Sequence, residues 1–153
     1  MLKNGQIAPD FTLPRDGGGL VTLSDLRGQA VVLFFYPKDN TPGCTTESIA
    51  FTAMKAEFEA ANTTILGVSK DSVASHDKFR TKHDLGVALI SDVDGDLCER
   101  YGVWGEKNNY GRKYMGITRT TVLIDDQGKI VQIWNKVRVK GHVEDVLAAA
   151  QAL

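Results

Sequence analysis

The sequence predicts an α/β fold with a mixed central sheet, helices on both faces of that sheet and a β-hairpin at the N-terminus. Two observations lead to this prediction. Segments with strand-like and helix-like periods follow one another in the order hairpin, βαβ, αβ, ββα, which places parallel strands first and an antiparallel pair last. The chain also has 153 residues, of which 42% are hydrophobic and 24% charged. These are ordinary globular values, so we expect one domain over residues 1–153.

The first predicted element is the N-terminal hairpin. Residues 11–13 and 20–23 are short apolar segments, and the glycine-rich stretch 16–19 between them is typical of a tight turn. Ser24 and Asp25 follow and are suited to cap a brief helical turn. We therefore expect two short antiparallel strands ahead of the main sheet.

A βαβ unit comes next. Residues 30–36 form a continuous β-branched and aromatic run that ends at Pro37, which is typical of a central strand covered on both faces. Residues 42–61 have a helical period, and residues 64–69 predict a second buried strand. The apolar face of the predicted helix consists of Ile49, Ala50, Ala53, Met54, Phe58 and Ala61.

The remaining elements complete the sheet. The chain continues with a polar helix over 71–83, a strand over 87–90, a short helix over 96–101, a glycine-containing loop with Trp104 and Tyr110, strands over 120–124 and 129–134, and an amphipathic helix with Val143, Val146, Leu147 and Ala150 on one face. The tetrapeptide 125–128 between the last two strands is a strong hairpin signal. This order of elements fits a thioredoxin-like arrangement.

Only two cysteines occur, and Cys44 stands at the start of the helix predicted over 42–61. Unpaired backbone N–H groups and the positive end of the helix dipole favour an anion there, so a thiol at this place ionises more readily. Thr41 lies three residues earlier, within reach of the sulfur. In the alternative interpretation, Cys44 is a small buried apolar residue and Thr41 only caps the helix.

The pattern Pro-x-x-x-Thr-x-x-Cys over residues 37–44 resembles the active-site motif of the peroxiredoxins, which are thiol peroxidases built on an elaborated thioredoxin fold. Residues 5–13 are similar to the N-terminal signature of that family. Residues 101–107 and 116–119 resemble the bacterioferritin comigratory protein (Q-type) subfamily. The resemblance runs along nearly the whole chain and implies a thioredoxin-like (peroxiredoxin) fold.

The resemblance also implies roles for particular residues. Cys44 matches the peroxidatic cysteine, Thr41 the threonine that binds and orients the peroxide, and Pro37 the proline that shields the pocket. Arg119 matches an arginine that reaches the pocket from a distant strand and stabilises thiolate and peroxide by charge-assisted hydrogen bonds. From the residues alone, Arg119 can equally be a surface ion-pair partner. Glu47 either joins this hydrogen-bond network or is a first-turn carboxylate favoured by the helix dipole.

The implied reaction is attack of the Cys44 thiolate on one oxygen of hydrogen peroxide or a small organic hydroperoxide. The products are a sulfenic acid on the cysteine and water or an alcohol. No metal, flavin or nicotinamide cofactor is required for this chemistry. The three histidines His76, His83 and His142 also lack the close paired spacing of a zinc site with either cysteine.

The sequence departs from the family at the resolving cysteine. Many members carry one five residues after the peroxidatic cysteine, where this chain has Ile49, and others carry it in the next helix, where residues 71–83 contain none. We interpret Cys98 as a packed residue of a short helix. We therefore predict a one-cysteine cycle in which thioredoxin, glutaredoxin or a small thiol reduces the sulfenic acid. The alternative is a two-cysteine cycle in which Cys98 resolves Cys44.

Charge and hydropathy exclude several other classes of function. Lys+Arg total 18 and Asp+Glu total 19, a net charge of -1, so we expect no nucleic-acid partner. No apolar run is long enough to cross a membrane, and the first five residues have no apolar signal core. We therefore expect a cytoplasmic protein without membrane contact. No long exposed apolar segment demands a partner, which favours a monomer, with a dimer as the alternative.

Two rival functions stay open from the residues. A thioredoxin-type thiol–disulfide oxidoreductase is disfavoured, because Cys44 has no second cysteine at Cys-x-x-Cys spacing. A non-catalytic redox-sensing or holdase module would use Cys44 as a switch and would consume peroxide slowly and without turnover.

Overall fold

The computed structural model describes residues 2–153, so the predicted domain boundary at Met1 lies outside the described residues. The strands are β1 (Thr12–Pro14), β2 (Leu20–Thr22), β3 (Ala30–Phe35), β4 (Thr63–Ser69), β5 (Ala88–Ser91), β6 (Trp104–Asn109), β7 (Arg112–Ile117), β8 (Thr120–Ile124) and β9 (Ile130–Trp134). The helices are α1 (Pro42–Ala53), α2 (Lys55–Ala60), α3 (Val73–His83), α4 (Leu97–Arg100) and α5 (His142–Gln151). A 3-10 turn, Leu23–Leu26, follows β2.

The central sheet has five strands in the order β5-β4-β3-β8-β9. β3 is parallel to β4, and β4 is parallel to β5, whereas β8 is antiparallel to both β3 and β9. The parallel part follows from the helical connection between β3 and β4, and the antiparallel part from the tight turn between β8 and β9. The predicted mixed sheet is therefore confirmed. β1 and β2 pair separately as the predicted N-terminal hairpin.

The side chains of β3 alternate between the two faces of the sheet and divide the core into two clusters. Val31, Leu33 and Phe35 belong to the first cluster, which α4 and the 3-10 turn help to cover. Val32 and Phe34 belong to the second cluster, which α1, α2, α3 and α5 cover. Every residue of β3 is buried, as expected of a strand with helices on both sides. The prediction of two covered faces is confirmed, with the longer helices gathered on one of them.

The helix predicted over 42–61 is wrong in two respects. The helix breaks at Met54 and continues as the separate helix α2. The predicted apolar face is also wrong at Ile49, which is 45% exposed, and at the exposed Ala53. Phe58 is buried in the second cluster, and Ala50 and Met54 pack against it, as predicted. The residues that α1 buries instead are Cys44, Glu47, Ser48 and Phe51. The first turns of α1 bury polar groups, and a buried polar face has no apolar periodicity by which it could be predicted.

The segment predicted as a loop around Trp104 and Tyr110 is instead a hairpin of β6 and β7. Trp104 pairs with Ile117 in antiparallel register. Tyr110 and Gly111 make the turn with φ angles of 53° and 80°, the positive values that a type I′ turn requires. The prediction failed because most residues of these strands are polar and exposed, so no alternating apolar pattern marks them.

The other predicted elements are confirmed to within a few residues. α3 begins after its cap Ser72, whose hydroxyl accepts a hydrogen bond from the N–H of Ser75 at 3.1 Å. α5 buries Val143, Val146 and Ala150 on one face. Within the part of the chain that the structure describes, no helix combines the length and the apolar character needed to cross a membrane.

Candidate active site

The candidate active site lies where the loop after β3 meets α1. Thr41 is the N-cap of α1, and Pro42, the first helical residue, has no N–H to leave unpaired. The N–H of Thr45 already donates to the Thr41 carbonyl at 2.9 Å. The N–H groups of Gly43 and Cys44 therefore have no acceptor inside the helix and, together with the helix dipole, favour an anion at this end.

Arg119 lies directly beside the Cys44 sulfur. Its Nη2 donates to Cys44 Sγ, and the two atoms are 3.2 Å apart. The sheet brings these distant residues together, because β8 begins immediately after Arg119 and pairs with β3, with Thr120 opposite Phe35. Cys44 is 1% exposed, and the Arg119 side chain is 16% exposed. The guanidinium is therefore a largely buried cation held against the sulfur and not a surface group.

Glu47 extends this contact into a chain of three groups. Arg119 Nη1 donates to Glu47 Oε1 at 2.8 Å, so one guanidinium bridges Glu47 and Cys44. Glu47 is fully buried, and its Oε2 has no hydrogen-bond partner among residues 2–153. Burial raises the pKa of Glu47 to about 7, although Arg119 opposes this rise. Burial also acts to lower the pKa of Arg119, but the charges of Glu47 and Cys44 outweigh it and raise that pKa.

Gly43 is a site residue that the sequence did not reveal. A Cβ atom built on Gly43 would lie 3.1 Å from Arg119 Nη2, tighter than an ordinary van der Waals contact. Any side chain at this position therefore crowds the guanidinium that touches Cys44. The signal appears only once the fold places Arg119 over the first turn of α1.

Thr41 and Pro37 belong to the same loop but make different contacts. Thr41 Oγ1 donates to the Lys38 carbonyl at 2.8 Å, which commits its proton and leaves its lone pairs free to accept. Among the hydrogen bonds of the described residues, none joins Thr41 to Cys44. Pro37 is half-buried and lines an open groove of about 420 Å³, together with Trp104 of β6. The direct contact with the sulfur thus comes from Arg119.

Cys98 has a very different environment. It is fully buried in the first core cluster, whereas Cys44 belongs to the second, on the other face of the sheet. Burial, and then the nearby Asp92 carboxylate, raise the pKa of Cys98. Asp92 accepts from the N–H groups of Leu97 at 3.1 Å and Cys98 at 2.9 Å and pairs with Lys70 at 3.3 Å. These contacts keep the Cys98 thiol protonated and packed in the core.

The chain is similar to known proteins along most of its length. The model of the AhpC/TSA family matches residues 4–133. The chain belongs to the AhpC/TSA family. Peroxiredoxin Bcp of Bacillus subtilis (strain 168) is 48% identical over 146 residues, which cover 95% of this chain and 93% of that relative. This chain is thus a peroxiredoxin of the Bcp, or Q, type, and its activity is that of a thiol-dependent peroxidase.

Solved structures of related peroxiredoxins share the fold. A cysteine-to-serine mutant of peroxiredoxin Q from Xylella fastidiosa is 41% identical, with a TM-score of 0.93 and coverage of 99% of this chain and 97% of that one. The bacterioferritin comigratory protein of Xanthomonas campestris is 47% identical, with a TM-score of 0.88 and coverage of 93% and 90%. The predicted thioredoxin-like peroxiredoxin fold and the predicted subfamily are therefore confirmed.

The structure of this peroxiredoxin also shows what stands at the two places expected for a resolving cysteine. Ile49, five residues after Cys44, lies on α1 with its side chain partly in solvent. α3, the second expected place, contains no cysteine along its whole length. Both of the cysteines in the chain are free thiols in this structure.

Proposed function

We propose that this peroxiredoxin works by a one-cysteine cycle in which Cys44 is the peroxidatic residue. The observation that carries the proposal is the 3.2 Å contact between Arg119 Nη2 and Cys44 Sγ at the start of α1. A cation then contacts the sulfur at the positive end of a helix dipole, and both favour a thiolate at the place where we propose that the peroxide arrives. Gly43 supports the proposal, because its missing side chain leaves room for this contact.

The first half-reaction transfers an oxygen atom to sulfur. A lone pair of the Cys44 thiolate attacks the terminal hydroxyl oxygen of the peroxide and forms the S–O bond. The O–O bond breaks, and its electron pair leaves with the second oxygen, which takes up a proton and departs as water or alcohol. Arg119 donates toward the oxygen on which charge develops, and Thr41 orients the peroxide through its hydroxyl. Pro37 limits the access of water to the pocket.

The second half-reaction uses an external thiol. Its thiolate attacks the sulfenic sulfur of Cys44, the hydroxyl leaves as water, and a mixed disulfide forms. A second thiolate then displaces Cys44, which returns as the thiolate while the reductant leaves as a disulfide. Thioredoxin, glutaredoxin and small thiols all supply this chemistry, and they are the reductants we propose.

Cys98 takes no part in the proposed cycle. A disulfide needs Cα atoms within roughly 7 Å of each other, and the central sheet separates the cluster of Cys98 from that of Cys44. A second obstacle is chemical, because a thiol with a raised pKa at full burial offers little thiolate to attack a sulfenic acid.

The proposed substrates are hydrogen peroxide and small organic hydroperoxides. The Xanthomonas campestris relative has been studied for alkyl peroxide reduction. We further propose that the chain acts as one domain, as a monomer, in the bacterial cytoplasm, where both cysteines stay reduced.

Steady-state peroxide consumption tests the proposal. Wild type, Cys44→Ser and Cys98→Ala are each compared with thioredoxin, glutaredoxin and a small thiol as reductants. We expect Cys44→Ser to abolish consumption and Cys98→Ala to retain it. Rapid consumption by folded Cys44→Ser would refute Cys44 as the peroxidatic residue, and oxidation of wild type without turnover under every reductant would favour a redox sensor.

A further inference from the structure

Asp39 lies in the middle of the active-site loop, residues 36–41 between β3 and α1, and is only 5% exposed. Its carboxylate accepts hydrogen bonds from the Tyr36 hydroxyl at 2.7 Å and from the Ser75 hydroxyl at 2.8 Å, and it lies 2.7 Å from His76 Nδ1. Its own N–H donates to the Asp71 carboxylate at 2.8 Å. We call these five residues the Asp39 clamp. The clamp ties the loop to the first turn of α3 and to the segment that precedes it.

His76 is fully buried in the first turn of α3, and both of its ring nitrogens face acceptors. Nε2 lies 3.0 Å from the Ile90 carbonyl of β5, and Nδ1 lies 2.7 Å from Asp39 Oδ2. A carbonyl has no proton to give, and the Asp39 carboxylate already accepts from two hydroxyls, so both nitrogens donate. Only an imidazolium can donate to both acceptors at once, so a protonated His76 joins β5 to the loop between β3 and α1.

A metal ion is the competing explanation for this cluster. One donor atom each of Asp39, Asp71 and His76 lies within 4.8 Å of the other two. An imidazolium has no lone pair to offer a metal, however, and Asp71 Oδ2 already accepts from the Ser69 hydroxyl at 2.7 Å and from the Asp39 N–H. The contacts describe a satisfied hydrogen-bond network and not a set of free ligands.

The clamp bears on catalysis because Asp39 lies between Pro37 and Thr41 in the chain. The next residue, Asn40, has a φ of 62°, a left-handed conformation that asparagine adopts more readily than most residues other than glycine. We propose that His76 is a positioning residue: as an imidazolium it holds Asp39, and through Asp39 the loop with Pro37 and Thr41, in the geometry that receives peroxide. This inference rests on the proposed function of that loop.

The charged and polar groups around His76 make the clamp sensitive to pH. Asp39 faces the ring from the loop, Asp71 from the segment before α3, the Tyr36 hydroxyl from the end of β3 at 3.5 Å, and the Ile90 carbonyl from β5. Burial acts to lower the pKa of His76, but the hydrogen bond and charge of Asp39 raise it above its usual value. When the proton leaves at higher pH, His76 can no longer donate to both acceptors at once, and the loop loosens.

The rate constant for oxidation of Cys44 by hydrogen peroxide, measured as a function of pH, tests this role. We expect wild type to react roughly 10- to 100-fold faster than His76→Gln where His76 is protonated, the range expected for a misplaced reacting group. The ratio of the two rate constants should fall toward one as the pH rises, because wild type then also lacks the imidazolium. Titrations that both proteins share, including that of Glu47, cancel largely in this ratio.

Ser75→Ala is the matched control, since it removes a donor to the same Asp39 oxygen without removing a titrating group. Its ratio to wild type should not change with pH. Asp39→Asn should slow the reaction as His76→Gln does, and the double variant should be no slower than the slower single one. A ratio between wild type and His76→Gln that stays constant with pH would overturn the proposal.

Ring-nitrogen NMR of wild type tests the imidazolium without any variant. We expect both nitrogens of His76 to carry protons near neutral pH, and a neutral ring there would overturn the proposal. The two proposals also fail separately. If Cys44→Ser still consumed peroxide, the proposed function would fail while the NMR signature of His76 would stay as it is.

Discussion

Replacing Arg119 with methionine removes the cation beside the sulfur and keeps a side chain of similar length. With 3.2 Å between the atoms and an effective dielectric constant of about 20, the attraction between guanidinium and thiolate is about 5 kcal/mol. This is an upper bound, because the dehydration of Arg119 and the opposing charge of Glu47, 2.8 Å from Arg119 Nη1, reduce it.

The effect of Arg119→Met on the rate constant can be estimated from other enzymes in which one hydrogen-bond donor to a developing negative charge was removed. Removing one donor that is aimed at a developing negative charge typically slows an enzyme by about 100- to 1000-fold, or about 3 to 4 kcal/mol. This range lies below the electrostatic bound for Arg119, as it should. We therefore expect Arg119→Met to lower the rate constant for oxidation of Cys44 by about 100- to 1000-fold.

The assay is rapid mixing of reduced protein with excess hydrogen peroxide, followed by quenching and mass spectrometry of the Cys44 peptide. Arg119→Lys is the matched control, because it keeps the charge but loses the planar guanidinium that donates to Glu47 and Cys44 through two nitrogens. We expect Arg119→Lys to lower the rate constant about tenfold. Glu47 already has a pKa of about 7 with Arg119 present, so it takes up a proton in Arg119→Met and avoids a bare buried charge. A folded methionine variant that reacts within about twofold of wild type would refute the reasoning.

Three further predictions concern buried titratable groups. The free energy of unfolding in urea should fall by roughly 3 kcal/mol for wild type relative to Glu47→Gln as the pH rises from about 4.5 to about 7. The reason is that native Glu47 keeps its proton up to about pH 7, whereas a glutamate in the unfolded chain loses it near 4.5. An unchanged difference between the two proteins would contradict the burial argument. Burial lowers the pKa of His142, so wild type should lose stability relative to His142→Gln as the pH falls below about 6.5, and a difference that stays constant with pH would contradict this. Cys98→Ala should keep peroxide turnover within about twofold, and a folded variant that loses more than about tenfold would indicate a two-cysteine cycle.

The parts of the fold that apolar patterns mark were predictable from the sequence. β3 and β4 are continuous apolar runs, and α5 repeats its apolar residues at helical spacing. β6 and β7 were not predicted because most of their residues are polar and exposed, so the sequence of this hairpin has no alternating apolar pattern and resembles that of a loop. The buried face of α1 was misassigned because it includes the polar residues Glu47 and Ser48, whereas the prediction assumed that only apolar residues face the core.

The candidate site divides in the same way between local and long-range information. The position of Cys44 at a helix start follows from local patterns, so its environment of free N–H groups was predictable. The contact with Arg119 depends on the register of β8 against β3, which no local pattern specifies, and only the family resemblance pointed to it. The roles of Gly43 and His76 could not be predicted from neighbouring residues, because they depend on contacts with Arg119 and Asp39 that only the fold creates.

Peptide mapping after one equivalent of hydrogen peroxide is the most direct test of the central claim that Cys44 is the reacting sulfur and works without Cys98. The reduced protein is oxidised in the presence of a reagent that traps sulfenic acids, and both cysteine peptides are then quantified. We expect the trapped sulfenic acid on Cys44 and an unmodified thiol on Cys98. A disulfide between Cys44 and Cys98 as the main product, or the trap on Cys98, would contradict the claim.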